Sequence, residues 1–475
     1  MAVSLPQELL LLIASHITGK EVKLTPYTLV SKSWQAAFER GIYSSLVVLS
    51  PSDREYVTVS PTKRLKKHGL SLSRLDDITS EPQDWRRARR TYVRRIIYRC
   101  AVPYWFDEDR VKNDDYTYDN AWRRKNNFVF SEGVQALFDY LSQWTNQAIS
   151  LEIALQAESA YIDEDHYEPG TLPISDGFDE ELAPYCATFL SDRHLATSKC
   201  VKSLEFPQIE LPDDISDKYR GYSEDRISPS AVLKIASACV TLQKIKIEGE
   251  CGIPCADSVL WWDVRNVTAV GLSELPPSIQ DVEWIGDAPL EYDNPDVRLA
   301  DVNYRNQDPL CTALHKISRR LKSLRIEAEA VFSELFCLDE PRGLTNVHWP
   351  HLETLHLERI DEMSPASAIT RYADGSTDDQ ELLQRYMDDL YASFGHAAQK
   401  MPHLKDAVLQ FGDGQGLEFY FGDGQWILFF VIRQCDTYEP SSRVLQAWKV
   451  PQESLKPCTG APYYREARYS AWPPL

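Results

Sequence analysis

Hydrophobic residues recur at helical spacing in the N-terminal segment. Ser4 and Gln7 flank Pro6 in the pattern of a capping box, which predicts a helix start. The apolar positions of this first helix lie at short helical intervals: Leu9, Leu12, Ile13 and Ile17. A second start is predicted at Thr25-Pro26, followed by an apolar face made of Leu29, Val30, Trp34, Ala37 and Phe38. The segment therefore predicts two or three short helices with more apolar side chains than a small unit can bury, and such a surplus favours a partner.

A short pattern, apolar-x-x-apolar-x-apolar, recurs through the rest of the chain and predicts buried strands. The clearest copies begin at Val201, Leu242, Ile279, Leu321 and Leu352, and weaker copies begin at Ala148 and Leu404. Helical patterns lie between the strands, over residues 229–238, 308–320 and 378–400. Because strand and helix alternate, the sequence predicts a parallel sheet with helices on one of its faces.

Two short motifs frame the predicted N-terminal helices. The first is Leu5-Pro-Gln-Glu-Leu9, an LPxE opening, and the second is Val30-Ser-Lys-Ser-Trp34, a VxKxW close. Together they resemble an F-box, which implies a three-helix hook over residues 1–48. The sequence departs from the family pattern at Ser31, where cysteine or a similar small residue is usual, and in the polar loop 18–25. The alternative is an ordinary amphipathic hairpin that packs on the next domain of the chain.

The resemblance also implies a set of partners. An F-box binds a Skp-type adaptor, which links it to a cullin scaffold and a RING ubiquitin ligase. The positions that match the motif are the expected adaptor contacts: Leu5, Pro6, Leu9, Ile13, Val30 and Trp34. We expect these apolar side chains to fill a groove in the adaptor, which is a common way for a helix to bind a partner.

The recurring strand pattern resembles that of leucine-rich repeats, but its spacing is longer and irregular. Successive copies from Val201 onward are 31 to 52 residues apart, against roughly 20–29 residues in regular leucine-rich repeats. The predicted fold class is mixed α+β and α/β. It comprises a three-helix F-box (1–48), a basic linker and helix (49–90), and an irregular leucine-rich-repeat-like solenoid (91–475) for substrate recognition. The alternative is a non-repetitive α/β domain whose strands match the pattern by chance.

Two turns with the same sequence, Phe-Gly-Asp-Gly-Gln, occupy residues 411–415 and 421–425. Asp-Gly between strand-like runs is a strong hairpin signal, so these turns predict an antiparallel meander that ends the array. A phosphate-binding loop would need a helix next, and a calcium loop would need further carboxylates at alternate positions. Neither continuation is present in the sequence.

The alternation within each repeat predicts a surface, because the residue between the last two apolar positions should point away from the core. These residues are Glu205, Lys246, Glu283, Arg325 and His356. One interpretation is a solvated charge ladder, in which each exposed pair stabilises the sheet by about a few tenths of a kcal/mol. The other is part of a face that binds a protein substrate. For the individual residues we favour the charge ladder.

Composition narrows the possible function classes. The chain has 475 residues and a formal net charge of -20, which argues against nucleic acid as the main partner. The ten cysteines are thinly spread, which suits reduced thiols in the cytoplasm and/or nucleus better than a secreted disulfide framework. No charged leader precedes the first apolar run, and the longest later run, residues 426–432, is far below the roughly 20 residues of a membrane span. We therefore expect an intracellular protein with no membrane partner.

Charge is unevenly distributed along the chain. Two basic clusters occupy residues 63–67 and 86–95. They have three interpretations: a nuclear import signal, a site for an acidic partner, or a solvated helix and strand whose charge balances the acidic remainder of the chain. We favour the last of these interpretations. Residues 150–185 contain no Lys or Arg and predict an exposed acidic loop that neutralises the basic clusters.

The sequence offers no catalytic constellation. Cys251 and Cys255 lack a second pair at zinc spacing, and His348, His351 and His356 do not form a helix-spaced ligand pair. We therefore expect no cofactor, no metal and no enzymatic activity. The predicted function is the substrate-recognition adaptor of a Skp–cullin–F-box type E3 ubiquitin ligase. The alternatives are an F-box scaffold that works outside ubiquitination and, less favoured, an enzyme with a cryptic site in the repeat region.

Overall fold

A computed structural model of the chain falls into two compact units, Met1–Ile227 with Ala238–Leu242, and Ser228–Ser237 with Gln243–Leu475. The structure describes residues 5–18, 24–51, 56–60, 63–66, 69–80, 84–102, 121–145, 147–157, 186–190, 193–207, 226–248, 258–286, 308–327, 331–336, 349–360, 379–411, 416–431, 439–458 and 461–473.

The first unit combines helices with parallel strands. Its described α-helices are α1 (Gln7–Thr18), α2 (Lys32–Ile42), α3 (Leu72–Thr79), α4 (Asp84–Tyr92) and α5 (Ala121–Leu141), and a 3₁₀ helix spans Thr25–Leu29. Its strands are β1 (Ser45–Leu49), β2 (Tyr56–Ser60), β3 (Lys63–Lys66), β4 (Leu70–Ser71), β5 (Arg95–Val102), β6 (Ile149–Ala157), β7 (Cys186–Ala187), β8 (Val201–Glu205) and β9 (Arg226–Ile227). Five strands form a parallel sheet in the order β4-β1-β5-β6-β8, while β2 pairs with β3 and β7 pairs with β9.

Helix α5 lies close to the centre of this sheet. The hydroxyl of Tyr98 on β5 donates to the backbone carbonyl of Gly133 on α5 at 2.6 Å. A Cβ on Gly133 would lie 3.2 Å from the sulfur of Cys100, so the missing side chain permits the close approach. Residues 151–155 of the neighbouring β6 are buried without a break, as expected for a strand of a parallel sheet covered on both faces.

The second unit also alternates strands and helices. Its described α-helices are α6 (Pro229–Ser237), α7 (Ser258–Ser273), α8 (Pro309–Ser318), α9 (Asp379–Ala398) and α10 (Ser442–Ala447), and 3₁₀ helices span Ser333–Leu335 and Gln452–Ser454. Its strands are β10 (Lys244–Glu248), β11 (Asp281–Ile285), β12 (Ser323–Glu327), β13 (Thr354–Ile360), β14 (Asp406–Phe411), β15 (Gly416–Gly422), β16 (Gln425–Val431), β17 (Lys456–Cys458) and β18 (Ala461–Tyr469). The helices predicted over 229–238, 308–320 and 378–400 are confirmed, with ends that differ by one or two residues.

The predicted parallel strands are confirmed within each unit. In the second unit, strands β10 to β14 are parallel, and Ile245, Val282, Leu324 and Leu355 lie directly beside one another. All four side chains are buried. Leu204, from the first copy of the pattern, is buried in β8 of the first unit and lies opposite Leu151 of β6.

The second unit ends in the predicted antiparallel meander, with strands in the order β14-β15-β16-β18-β17. A two-residue turn, Asp423-Gly424, connects β15 to β16, and both residues have positive φ angles of 52° and 74°. Such angles suit a tight hairpin turn and explain why glycine stands at the second position. Residues 412–415 of the other predicted turn lie outside the described residues, but β14 and β15 on either side are antiparallel.

The predicted F-box segment, 1–48, lies in the first unit. The boundary predicted between residues 48 and 49 falls within β1, which lies between β4 and β5 in the sheet of the first unit. The segment 49–90, predicted as a basic linker and helix, contributes β4, α3 and α4 to that unit. In the part of the chain that the structure describes, no helix has the length and hydrophobicity needed to cross a membrane.

Candidate functional site

The N-terminal helices expose a group of large apolar side chains, which we call the N-terminal apolar surface. Its members are between 42% and 84% exposed: Leu5, Leu9, Leu12, Leu29 and Val30. Leu9 and Leu12 lie three residues apart and therefore on one face of α1. Leu29 and Val30 lie at the end of the 3₁₀ helix. Exposed apolar groups gathered within so short a segment are typical of a binding surface.

A separate set of side chains holds these helices together. The buried cluster consists of Leu10 and Ala14 from α1 with Ala37 and Phe38 from α2. Leu10 and Ala14 are four residues apart, so α1 uses a different face for this packing than for the exposed Leu9 and Leu12. The exposed leucines are therefore not required to form the hairpin core.

The predicted adaptor contacts divide into two groups. Leu5, Pro6, Leu9 and Val30 are exposed, whereas Ile13 and Trp34 are half-buried and pack against the hairpin core. The ring of Trp34 stacks on that of Phe38, with centroids 5.4 Å apart and planes within 2°. Leu12 and Leu29, the most exposed members of the N-terminal apolar surface, were not among the predicted contacts. Both had a sequence signal, since Leu12 lies three residues after Leu9 and Leu29 begins the apolar face predicted after Thr25-Pro26.

The position at which the sequence departs from the F-box pattern has a structural role. Ser31 is the N-cap of α2, and its side chain accepts a hydrogen bond from the backbone N–H of Trp34 at 3.3 Å. A serine at this position satisfies a helix N–H that would otherwise lack an intrahelical partner. The helix start predicted at Thr25-Pro26 is a 3₁₀ helix without a side-chain cap, and α2 begins only at Lys32.

The hairpin is connected to the remainder of the first unit through α4. The guanidinium of Arg89 forms an ion pair with Glu39 of α2 and lies over the ring of Tyr43, 5.0 Å from its centroid. Gln35 also donates to Glu39 at 2.9 Å. Burial raises the pKa of Tyr43, and the neighbouring Arg89 partly offsets this rise. Both charged side chains of the ion pair are largely shielded from water, so the contact fixes the position of α2.

The described arginines of the basic block between residues 86 and 95 also make specific contacts. Arg90 donates to the backbone carbonyl of Gln143 and lies 5.0 Å from the ring centroid of Trp144. Arg95 binds the buried carboxylate of Glu152 through two hydrogen bonds, and these bonds raise the pKa of Arg95. These arginines thus serve the packing of the first unit. The predicted acidic loop lies mostly outside the described residues, as do the side chains of 63–67.

The row of charged residues predicted from the repeats is present in the second unit. Lys246, Glu283, Arg325 and His356 lie side by side on β10, β11, β12 and β13, and all four side chains are half-exposed. Glu205, the fifth predicted residue, is exposed on β8 of the first unit, opposite Glu152. The row shows that the corresponding positions of the repeated pattern lie side by side within the second unit.

Arg325 connects three strands of this row. Its guanidinium lies 3.4 Å from Glu283 on β11, 3.0 Å from Glu327 on β12 and 2.8 Å from Glu358 on β13. Glu327 also pairs with Arg359. On the adjacent strand, the ring nitrogens of His356 lie 3.3 Å from Glu358 and 2.9 Å from Asp406. This part of the row therefore behaves as the charge ladder favoured from the sequence.

The same row continues through β14, which the weaker copy at Leu404 covers, into the antiparallel strands, which the repeat pattern did not cover. His356 is followed in register by Val408 on β14, Glu418 on β15, Phe429 on β16 and Glu466 on β18. The side chains on this continuation alternate between apolar and acidic. The sequence signal that could have found them was the two-residue alternation of each strand on either side of the Asp423-Gly424 turn.

The described residues contain no group of three His, Cys, Asp or Glu side chains arranged to bind a metal ion. Cys251, Cys255 and His348 lie outside the described residues, while His351 is exposed before β13. Burial raises the pKa of the thiols of Cys200, Cys239 and Cys311. A raised pKa disfavours the thiolate, so the described sites do not activate these sulfurs as nucleophiles or ligands.

The sequence matches no protein-family model, and no curated protein matches it.

Proposed function

We propose that this protein is a substrate-recognition subunit of a Skp–cullin–F-box type ubiquitin ligase. Its N-terminal segment, residues 1–48, acts as the F-box and binds a Skp-type adaptor. The strands and helices of the remaining chain act as an irregular leucine-rich-repeat-like array and bind a protein substrate. The transfer of ubiquitin belongs to other subunits, which this protein serves by bringing the substrate close to them.

The N-terminal apolar surface is the observation that carries the proposal. Leu9 and Leu12 on α1, with Leu29 and Val30 after the 3₁₀ helix, are exposed although the same segment has its own buried cluster. An exposed leucine or valine keeps its apolar area in contact with water. Full burial of one such side chain in an interface contributes roughly 1.5–3 kcal/mol to the free energy of binding. A groove that accepts an amphipathic helix would remove this surface from water.

The test is binding of a purified Skp-type adaptor to the full chain by calorimetry, with Leu12→Glu and Leu29→Glu as the probe variants. Both positions are exposed, so a glutamate is compatible with folding, but it places a charge where the adaptor would bury an apolar group. We expect each variant to weaken binding by about tenfold or more, since each removes roughly 1.5 kcal/mol or more of apolar burial. The matched control is Val270→Glu, an equally drastic change at a valine of α7 that is 62% exposed.

Equal losses for the control and the probe variants would contradict the proposal, as would an absence of adaptor binding by the unmodified chain. Affinity purification with the proteasome blocked then defines the assembly. Cullin recovered together with the adaptor supports a ligase subunit. Adaptor recovered without cullin supports a scaffold that works outside ubiquitination.

A further inference from the structure

The antiparallel strands of the second unit carry a surface of mixed apolar and acidic character. Val408, Glu418, Phe429 and Glu466 lie side by side across β14, β15, β16 and β18. Asp406 and Tyr420 form the adjacent row and lie opposite each other on β14 and β15. We call these six residues the meander face. All of them are half-exposed or exposed, so their side chains are accessible from solvent.

The meander face has an excess of negative charge. Asp406, Glu418 and Glu466 carry three carboxylates. Within the described residues, Arg468 pairs with Glu466 at 3.3 Å, and the ring of His356 lies 2.9 Å from Asp406, which leaves Glu418 without an ionic partner. Burial, with Glu418 and Glu466 as the next causes, raises the pKa of Tyr420, which places these two carboxylates near its ring. Asp423 at the hairpin turn adds to this effect, and Arg468 opposes it.

The carboxylates around Arg325 and the carboxylate of Glu418 on the meander face differ in their ionic partners. Around Arg325 the carboxylates have cationic partners within 3.4 Å. Glu418, in contrast, is exposed and forms no ion pair within the part of the chain that the structure describes. The carboxylates around Arg325 are therefore paired within the sheet, whereas Glu418, at the centre of the meander face, is available to pair with a cation of a partner.

We propose that the meander face binds a segment of a protein partner in which Lys or Arg residues alternate with apolar residues. The cations would pair with Asp406, Glu418 and Glu466, and the apolar side chains would cover Val408 and Phe429. This inference rests on the proposed function, because the basic segment would belong to the protein substrate of the ligase. A second copy of the same chain is a poor occupant, because two acidic faces repel each other.

The long-range field of the molecule supports the same choice of partner. The chain carries a formal net charge of -20, and a strongly charged protein attracts ligands of opposite sign and accelerates their association. Complementary charge determines the specificity and on-rate of an interface more than its final affinity. We therefore expect recognition of the basic segment to depend strongly on ionic strength.

The experiment uses the full chain and a short fluorescent peptide of alternating Lys and Leu, with binding followed by anisotropy. Alternating Glu–Leu and Lys–Ser peptides separate the contributions of charge and of apolar contact. We expect the Lys–Leu peptide to bind, the Lys–Ser peptide to bind more weakly and the Glu–Leu peptide not to bind. Binding should weaken as salt is raised from low to physiological concentration.

The probe variant is Glu418→Gln, which keeps the shape of the side chain and removes its charge. We expect it to weaken binding of the Lys–Leu peptide by about three- to tenfold, as loss of one interface charge commonly does. Glu274→Gln is the matched control, because Glu274 is an exposed carboxylate that follows α7 and lies outside the sheet. An equal effect of both variants would overturn the proposal.

Three further outcomes would overturn the proposal that the meander face binds a basic segment. Absence of binding to the Lys–Leu peptide by the unmodified chain overturns the proposal, as does equal binding of the Glu–Leu peptide. A dimer in light scattering that Glu418→Lys converts to a monomer would assign the face to a second copy instead. The adaptor-binding test is independent, because Leu12→Glu should weaken adaptor binding without changing the affinity for the peptide.

Discussion

At the scale of single residues, the start of α8 could be predicted from the sequence, whereas its buried charge pair could not. Asp308 caps α8 by accepting from the N–H of Cys311 at 2.6 Å, in agreement with the helix predicted to start there. The same carboxylate forms two hydrogen bonds with Arg265 of α7, at 2.8 Å and 3.0 Å, and both side chains are buried. No local pattern relates the two residues, since they lie 43 positions apart.

This pair leads to a prediction about stability. Replacing Asp308 with Ala would leave Arg265 charged and buried without its carboxylate, and would also remove the cap of α8. We expect a loss of about 3–5 kcal/mol in the free energy of unfolding, measured by urea denaturation with tryptophan fluorescence. Asp308→Asn keeps a capping side chain and should cost less.

The control for this prediction is Arg443→Ala. Arg443 pairs with Asp389 at 2.7 Å, but the Arg443 side chain is 61% exposed. An exposed pair contributes at most about 1 kcal/mol, so this change should have little effect on the denaturation midpoint. Equal effects of the buried and the exposed variants would show that Asp308 is not an essential partner of Arg265.

At the scale of elements, the spacing of apolar residues and the residue types at turns determined which helices and strands could be predicted. The strands of the second unit carry regular apolar pairs, and the sequence correctly predicted their positions and their parallel direction. The second N-terminal helix was placed too early, because Thr25-Pro26 has the composition of a helix start but begins a 3₁₀ helix. The continuation of the charged row to Glu418 and Glu466 was missed because it depends on the antiparallel register, which the Asp423-Gly424 turn sets.

The Asp423-Gly424 turn permits a test of backbone conformation alone. Gly424 has a φ of 74°, and a Cβ added there would meet no atom within 4 Å. Gly424→Ala should therefore destabilise the β15–β16 hairpin by about 1 kcal/mol through the left-handed backbone rather than through a clash. Faster amide hydrogen exchange in both strands would report this loss.

Asp423→Asn is the control at the same turn, because asparagine tolerates the positive φ of 52° found at position 423. We expect its exchange rates to match those of the unmodified protein. If Gly424→Ala also left the exchange rates unchanged, the turn would not be what holds the two strands in register.

At the scale of the whole molecule, parallel strands bring together segments that are distant in sequence. The sequence separated residues 1–48 from the remainder of the chain because their apolar spacing is helical and matches a known motif. It could not show that β1 inserts between β4 and β5, since parallel partners are distant in sequence and leave no turn signal. The candidate adaptor surface and the sheet therefore share one unit, which contains α1, α2 and β1.

This arrangement predicts different outcomes for two N-terminal truncations. A chain that lacks residues 1–43 keeps β1 and the carbonyl of Ser44, which accepts from the N–H groups of Arg94 and Arg95 at 2.8 Å and 2.9 Å. A chain that lacks residues 1–50 also loses Leu46, Val48 and Leu49, which are buried. Burial of each such side chain contributes roughly 1.5–3 kcal/mol, so the longer truncation should expose the sheet of the first unit to proteolysis.

We expect neither truncated chain to bind the adaptor, and we expect the shorter truncation to remain resistant to protease at low protease-to-protein ratios. The Lys–Leu peptide should still bind the shorter truncation, because the meander face belongs to the second unit. Adaptor binding by the chain that lacks residues 1–43 would contradict the F-box assignment. Equal protease resistance of the two truncations would instead show that β1 is dispensable for the sheet.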